Sequence, residues 1–306
     1  MQLPDELQFM ANARMKQKRT DARLDGKICI ITGATSGVGY AAAKRFAQGG
    51  ANLALVCRNM EKAELIQTQL QKEFDAQVDL FQADFSDLSQ VRKAGAEILA
   101  QIPRIDVLIN NAGMHNTKRM LTPDGFEMVF CVNHLASFLL TSLLLPRLIE
   151  SAPAKIIQVN SEGHRFGGLD LNDLNWGKRH YKGLQGYGAA KTAQLLTVWE
   201  FADQLQGKSV TINAMHPGAV ATNIGMNNGL LYRSYQKYIL FPLLKDPEIS
   251  GDALYYLAAS PEMATVSGKF YNLTIEEKPA AHALDRELGK RVWKVSEDLT
   301  KLNWKD

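Results

Sequence analysis

Short runs of apolar and β-branched residues alternate with longer amphipathic segments from Lys27 onward. The short runs have few polar breaks, which is typical of strands covered by helices on both faces, and the longer segments have the period of helices. This alternation predicts a doubly wound α/β fold with right-handed crossovers and a seven-stranded parallel sheet in a single domain. The predicted strands are residues 27–32, 52–57, 78–82, 105–110, 155–160, 209–214 and 268–272.

The pattern also divides the chain. Residues 1–26 carry mixed charge and no apolar signal core, so we expect a helical extension at the surface. Residues 27–282 form the predicted main domain. In residues 283–306 an apolar residue recurs every three or four positions, which predicts a terminal amphipathic helix that covers either the domain or a partner.

Two segments interrupt the alternation. Residues 162–186 are rich in glycine and polar residues, and residues 223–248 are rich in Leu, Tyr and Phe with few acids. Both are candidate lids over a site. The second also has the composition of a membrane interface, so peripheral membrane contact through 223–248 is an alternative. The apolar run 135–145 is shorter than a bilayer span and predicts a core helix.

Composition narrows the class of protein. The 306 residues are 46% hydrophobic and 22% charged, enough apolar sequence for a substantial core and unlike a disordered chain. The net charge of +3 is too small to indicate nucleic acid as the main partner, so a small molecule is the expected partner. The three cysteines, Cys29, Cys57 and Cys131, lie in apolar stretches and predict buried reduced thiols in a cytoplasmic protein.

A glycine-rich loop, TGATSGVG at residues 32–39, joins the first predicted strand to a helix-forming segment. Glycine lets backbone N–H groups approach a pyrophosphate, and a helix N-terminus favours its negative charge. The glycines stand at offsets 0, 4 and 6, unlike the 0, 2, 5 of the general dinucleotide fingerprint. The loop predicts a Rossmann-type dinucleotide site. Its predicted contacts are Gly33, Thr35, Ser36, Gly37, Val38 and Gly39.

The end of the second predicted strand indicates which dinucleotide is preferred. An NAD(H) site needs a carboxylate there for the ribose 2′-hydroxyl, whereas an arginine accommodates the 2′-phosphate of NADP(H). The sequence has Arg58 and no acid at this point, with Lys62 nearby. We therefore expect NADP(H) to be preferred over NAD(H). After the third strand, Asp84 either caps the next helix or accepts from the adenine amino group, and Phe85 beside it is a further predicted contact.

Tyr187 and Lys191 lie one helical turn apart on the same face of a predicted helix. The spacing alone is a weak signal, because Tyr40 and Lys44 share it. The position of Tyr187 and Lys191 is more informative. They follow the fifth strand, whose end carries Ser161, and precede the sixth.

Together these features resemble the short-chain dehydrogenase/reductase family, from about Lys27 to Asn272. The resemblance is carried by loop 32–39, Asn110-Asn111-Ala112-Gly113, Ser161, Tyr187 with Lys191, and His216-Pro217-Gly218. Residues 57–62, 132–135 and 173–176 further resemble the retinol-dehydrogenase-like branch, which includes relatives of WW-domain oxidoreductase.

The resemblance implies a catalytic tetrad of Asn133, Ser161, Tyr187 and Lys191. Tyr187 would give a proton to the carbonyl oxygen in reduction and remove the hydroxyl proton in oxidation. A free phenol has a pKa of about 10, and a neighbouring Lys191 ammonium would lower it. Lys191 would also bind the nicotinamide ribose, Ser161 would orient the substrate oxygen, and Asn133 would hold a water that connects Lys191 to solvent.

Other residues receive roles from the same resemblance. Asn110 would bridge adjacent turns, while Ala112 and Gly113 would leave room for the cofactor. His164, three residues beyond Ser161, is either a substrate contact in the active site or a structural or surface histidine, which is the commoner role of a single histidine. We expect His180 and His216 to be structural, and the spacing of His, Cys and acidic residues predicts no metal site. The remaining predicted cofactor contacts, after the sixth strand, are Pro217, Gly218, Val220 and Thr222.

The expected function is an NADP(H)-dependent oxidoreductase that interconverts a hydrophobic alcohol and its aldehyde or ketone, such as a retinoid, steroid or lipid-like carbonyl. The alternative is a non-catalytic NADP(H)-binding sensor or scaffold. The oligomeric state stays open between monomer and homodimer. Family members often pair through the helices that begin near 120 and 187, and the C-terminal helix would favour a monomer if it caps that surface.

Overall fold

The computed structural model describes residues 12, 15–220 and 244–302, and in these residues eight strands form one sheet. The strand order is β3-β2-β1-β4-β5-β6-β7-β8, and β1 to β7 are parallel to one another. The predicted doubly wound fold is confirmed. The strands are β1 Ile28–Thr32, β2 Asn52–Cys57, β3 Val78–Gln82, β4 Val107–Asn110, β5 Ala154–Val159, β6 Val210–His216, β7 Phe270–Asn272 and β8 Ile275–Glu276.

The eighth strand departs from the predicted seven. β8 is antiparallel to β7, with Tyr271 opposite Glu276 and Asn272 opposite Ile275. A tight turn with Leu273 at φ +56° joins the two strands. A two-residue strand is too short to show an alternation of apolar and polar positions, which is why the sequence pattern does not reveal it.

Helices cover both faces of the sheet and bury two apolar cores. One core lies between the sheet and α3, α4, α5 and α7, and the other between the sheet and α1, α2 and α6. Cys29, Cys57 and Cys131 are buried and free, as expected. The helices are α1 Gly37–Gln48, α2 Met60–Phe74, α3 Leu88–Gln101, α4 Met128–Glu150, α5 Gly183–Gln204, α6 Glu248–Ala259 and α7 Arg286–Thr300.

Helix α4 contains a π-helical turn at Cys131–Leu135 and begins at a buried carboxylate. Glu127 accepts hydrogen bonds from the backbone N–H groups of Val129 and Phe130, and burial raises its pKa. By length and composition the 23-residue helix could cross a membrane, but 89% of its apolar window is buried inside the fold. It therefore packs as a core helix, in agreement with the prediction for 135–145.

Helix α7 packs on the domain itself rather than projecting toward a partner. The Trp293 ring lies 5.0 Å from that of Phe138 and 4.6 Å from that of Phe201, in edge-to-face arrangements. Ser296 also pairs with the buried His134, with 2.7 Å between Oγ and Nε2. These contacts join the C-terminal helix to α4 and α5.

The predicted N-terminal helix is wrong for residues 15–26, which contain no helix. Their backbone groups bond to the domain instead: Lys18 N–H donates to the Thr274 hydroxyl at 2.8 Å, and Tyr255 O–H donates to the Ala22 carbonyl at 2.7 Å. Tertiary partners thus replace i to i−4 bonds. Residues 1–11, 13–14, 221–243 and 303–306 lie outside the described residues, and with them Thr222 and most of the predicted lid 223–248.

The other predicted lid has little regular structure. Residues 162–166 form a short 3-10 helix, and 167–182 follow as an irregular loop that leads into α5. Within the loop the Arg179 guanidinium stacks 3.7 Å above the Trp176 ring. Asp173 accepts hydrogen bonds from the backbone of Gly177 and Lys178. These contacts order the loop, so in this structure it is a packed surface segment.

Candidate active site

A cavity of about 1020 Å³ opens at the carboxyl ends of the parallel strands. The strand order reverses direction between β1 and β4, and ligands of doubly wound sheets bind outside the carboxyl ends at such a point. Loop 32–39, the ends of β2 to β6 and the start of α5 line the cavity. The predicted residues that line it are Gly33, Thr35, Ser36, Gly37, Val38, Gly39, Arg58, Asp84, Phe85, Ala112, Gly113, Ser161, Tyr187, Lys191, Pro217, Gly218 and Val220.

The glycine-rich loop has no room for larger residues. Gly33 and Gly37 have φ values of +68° and +55°, which side chains rarely adopt. A Cβ on Gly39 would collide with the Gly33 carbonyl oxygen. Ser36, the N-cap residue of α1, makes no side-chain capping hydrogen bond, so the helix N-terminus faces the cavity without a capping side chain. The loop has the form of an anion cradle.

Asn111, and not Asn110, latches this loop to the end of β4. The Asn111 amide nitrogen donates to the Thr32 carbonyl at 2.8 Å and to the Gly33 carbonyl at 3.2 Å. The Asn110 side chain instead points into the core and donates to the Thr141 hydroxyl at 2.8 Å. Asn110 does not line the cavity, and the bridging role expected of it belongs to its neighbour.

Two cations and one carboxylate surround the far end of the cavity, beyond β2. Arg58 is 68% exposed, and its Nη1 lies 3.9 Å from the Asp84 carboxylate. Lys62 lines the same end. Asp84 also accepts from the Ser86 backbone at 2.9 Å, and it is the only carboxylate among the described residues that line the cavity. This end therefore has a positive balance of charge.

Ser161, Tyr187 and Lys191 converge at the other end. Ser161 ends the β5 segment, and its hydroxyl accepts from the Gly163 N–H at 3.0 Å. The Tyr187 ring packs over Gly163, where a Cβ would lie 2.5 Å from the ring. Lys191 Nζ lies 5.9 Å from the Tyr187 ring centroid and donates to the Val159 carbonyl at 2.8 Å.

Burial displaces the pKa values of both titratable groups. Burial raises the pKa of Tyr187 to about 12, and the hydrogen bond with Ser161 opposes that rise. Burial lowers the pKa of Lys191 to about 7. A phenol with a high pKa and an amine with a low one, side by side in a cavity, are typical of a proton-transfer site.

Asn133 is held by hydrogen bonds beneath the cavity. It lies in the π-helical turn of α4 and is fully buried. Its amide oxygen accepts from the Met114 N–H and its amide nitrogen donates to the Met114 carbonyl, both at 2.8 Å. Its backbone carbonyl accepts from the Gln194 side chain at 2.9 Å. Asn133 is not among the residues that line the cavity.

Comparison with known proteins decides the family. The short chain dehydrogenase family model matches residues 27–230. The chain is a member of the short-chain dehydrogenase/reductase family. It is 39% identical to human retinol dehydrogenase 13, covering 92% of this chain and 86% of the relative, and 36% identical to mouse retinol dehydrogenase 14, covering 94% and 89%. A solved structure from Mycobacterium paratuberculosis superposes with a TM-score of 0.73 at 29% identity, covering 92% and 96%.

Membership and these relatives establish an oxidoreductase, as the retinol-dehydrogenase-like resemblance predicts. Family members bind NAD(P) and act on small alcohols or carbonyl compounds. In this short-chain dehydrogenase the described residues contain no group of three His, Cys, Asp or Glu side chains arranged to hold a metal.

His164 lies away from the cavity of this short-chain dehydrogenase. The ring is fully buried: Nδ1 lies 2.8 Å from the Ser161 carbonyl oxygen, and Nε2 accepts from the Ala280 N–H at 3.1 Å. Burial lowers its pKa to about 4. Both nitrogens are occupied, so of the two expected roles of His164 the geometry favours the structural one. His216 at the end of β6 does line the cavity, although it was expected to be structural.

An apolar wall near Tyr187 completes the cavity of the enzyme. It is formed by methionines and aliphatic residues of the β4–α4 connection, of α4 and of residue 244. Methionine side chains are flexible and adapt to irregular apolar ligands. Only residue 244 lies in the predicted lid 223–248, and the other residues of the wall come from residues 114–132. The wall consists of Met114, Met120, Met128, Val132 and Leu244.

Proposed function

We propose that this enzyme is an NADP(H)-dependent oxidoreductase that interconverts a hydrophobic alcohol and its aldehyde or ketone. The observation that carries the proposal is the convergence of Ser161, Tyr187 and Lys191 beside the apolar wall. The retinol dehydrogenases among its relatives support retinoids among the expected substrates.

The cavity fits a nicotinamide dinucleotide. The loop at residues 33–39 and the N-terminus of α1 suit its pyrophosphate, and Asp84 suits the adenine amino group. Lys191 would bind the nicotinamide ribose, and Pro217, Gly218 and Val220 would border the nicotinamide end. The nicotinamide supplies or accepts the hydride when bound.

Tyr187 would transfer the proton at the substrate oxygen. Because burial keeps the phenol protonated at neutral pH, Tyr187 is ready to donate its proton to the carbonyl oxygen in reduction. In oxidation the phenolate must form, and the Lys191 ammonium would favour it by its positive charge. The Ser161 hydroxyl would hold the substrate oxygen toward Tyr187.

Arg58 would select NADP(H) through the 2′-phosphate. Arg58→Ala is expected to weaken NADPH binding by about 10- to 100-fold, the effect of losing a hydrogen-bonded charge pair, and to change NADH binding by less than about twofold. Isothermal titration of both nucleotides measures the difference. Arg23→Ala, which removes an arginine that is similarly exposed and paired with Asp25, is the matched control. Equal weakening of NADPH and NADH by Arg58→Ala would contradict the assignment.

A substrate series tests the reaction itself. With NADPH, purified enzyme is expected to reduce retinal and long-chain aldehydes with a higher kcat/KM than short-chain aldehydes, because each CH₂ buried on the apolar wall contributes about 0.8 kcal/mol at most. The measurement is NADPH oxidation at 340 nm across aldehydes of increasing length. Binding of neither nucleotide, or a kcat/KM that falls with chain length, would refute the proposal.

A further inference from the structure

The buried side-chain amide of Gln194 forms hydrogen bonds with Lys191, Asn160, Asn133 and Gln158. Gln194 is 1% exposed and lies on α5, one turn beyond Lys191. Its amide oxygen accepts from Lys191 Nζ at 3.3 Å and from the Asn160 amide at 2.8 Å. Its amide nitrogen donates to the Asn133 carbonyl at 2.9 Å and to Gln158 Oε1 at 3.3 Å. All four hydrogen bonds that such an amide can form are made.

The two ends of this amide cannot be exchanged. A lysine ammonium only donates hydrogen bonds, and a backbone carbonyl only accepts them. Reversal of the Gln194 amide would place its NH₂ group against the Lys191 ammonium and its oxygen against the Asn133 carbonyl oxygen. The surroundings therefore set a single orientation, and that orientation offers an oxygen to the ammonium.

Gln194 also lies between Lys191 and Asn133, the residue that the family resemblance expects to hold a water connecting Lys191 to solvent. The Asn133 side chain is engaged with Met114, and its backbone carbonyl meets the Gln194 amide. A direct chain of hydrogen bonds therefore runs from the Asn133 carbonyl through the Gln194 side chain to Lys191. Because an amide N–H does not release its proton near neutral pH, this link positions the ammonium rather than relaying protons.

We propose that Gln194 is a positioning residue of this active site, which holds the Lys191 ammonium through its amide oxygen and so controls how strongly Lys191 favours the Tyr187 phenolate. The inference rests on the proposed roles of Tyr187 and Lys191. Gln194 is also linked to Ser161 through Asn160. The Asn160 amide nitrogen donates to the Gln194 oxygen, and the Asn160 amide oxygen accepts from the Ser161 N–H at 2.8 Å.

The protonation of Lys191 depends on few hydrogen-bond acceptors, and Gln194 is one of them. Nζ donates to two uncharged oxygens, those of Val159 and Gln194. Burial lowers its pKa to about 7, so the loss of one acceptor would weaken the ammonium form further. The other titratable groups of Lys191's own helix are Tyr187, Glu200 and Asp203. His115 contacts the Tyr187 ring, and the elements packed against the helix carry Cys131, His134, Glu162, His164, Arg165, His216, His282, Arg286, Glu287, Lys290, Arg291, Lys294, Glu297 and Asp298.

Gln194→Met tests the proposal, because it keeps the length of the side chain and removes the amide. Loss of the acceptor lowers the pKa of Lys191, so the ammonium is lost at lower pH and the pKa of Tyr187 rises. In the alcohol-oxidation direction the midpoint of the kcat–pH profile is therefore expected to move up by about one unit, with about tenfold lower kcat at pH 7. If this variant does not fold, Gln194→Asn withdraws the amide by one methylene and is expected to shift the midpoint in the same direction.

Thr197→Val is the matched control for buried polarity on the same helix. The Thr197 hydroxyl donates to the Ala193 and Gln194 carbonyls and does not contact Lys191. Thr197→Val is expected to lower Tm without moving the midpoint of the kcat–pH profile. If the Gln194 variants keep the wild-type midpoint and lose Tm as Thr197→Val does, the positioning role of Gln194 is overturned, whereas the proposed function of the enzyme is not affected. Full activity of Tyr187→Phe would instead overturn the proposed function, and this inference with it.

Discussion

Tyr187→Phe is expected to lower kcat by about 10²- to 10⁴-fold while changing NADPH affinity by less than about twofold, because only the hydroxyl that transfers the proton is lost. The ring stays packed over Gly163, so the fold is preserved. Steady-state kinetics with retinal and titration of NADPH measure the two effects separately.

Tyr40→Phe is the matched control for this substitution. Tyr40 stands four residues before Lys44 in α1, the same spacing as Tyr187 and Lys191, and its hydroxyl donates to Gln69 at the surface. It is expected to keep wild-type kcat. Substantial turnover in Tyr187→Phe would show that another group transfers the proton.

Trp293→Ala is expected to lower the free energy of unfolding by about 3–5 kcal/mol, because it leaves a cavity between two rings of the core. Trp293 is 9% exposed and packs against Phe138 and Phe201. Equilibrium unfolding in urea measures the change. Trp293→Phe, which leaves a smaller cavity, is expected to cost less and extends the test if the alanine variant does not fold.

Lys294→Ala, at the next position of the same helix, is the control. Its side chain is 68% exposed and pairs with Glu297 and Asp298 of the same helix, so a change within about 0.5 kcal/mol is expected. A loss below about 1 kcal/mol for Trp293→Ala would contradict the conclusion that α7 is an integral part of the core.

The outline of the fold could be predicted from the chain because strands covered on both faces require nearly continuous apolar runs. β2 and β3 have the predicted bounds of 52–57 and 78–82. Loop 32–39 could be recognised for a similar reason, since a backbone that approaches a phosphate closely needs glycine at fixed positions. Tyr187 and Lys191 stand out because a helix places residues four apart on one face.

The sequence does not determine which of two adjacent asparagines serves the loop. Asn110 still pairs within the sheet, opposite Gln158 of β5, and so its side chain points into the core. Asn111 is the first residue beyond the strand and reaches Thr32 and Gly33. One residue of register reverses the direction of a side chain, and register depends on neighbouring strands.

His164 shows the same limit. Its place three residues beyond Ser161 is compatible with either a substrate contact or a structural role, and only the 3-10 helix decides, because it turns the ring into the core, where Ala280 lies 116 residues further along the chain.

The sequence by itself determined the alternation of β1 to β7 with helices, the glycine-rich loop 32–39 and the spacing of Tyr187 and Lys191, because each depends on residues that are close along the chain. Tertiary structure alone decided the non-helical course of residues 15–26, the place of α7 on the core, and the position of the Gln194 amide between Asn133 and Lys191. Those features depend on contacts between residues that are far apart in the chain, and a local sequence pattern does not predict such contacts.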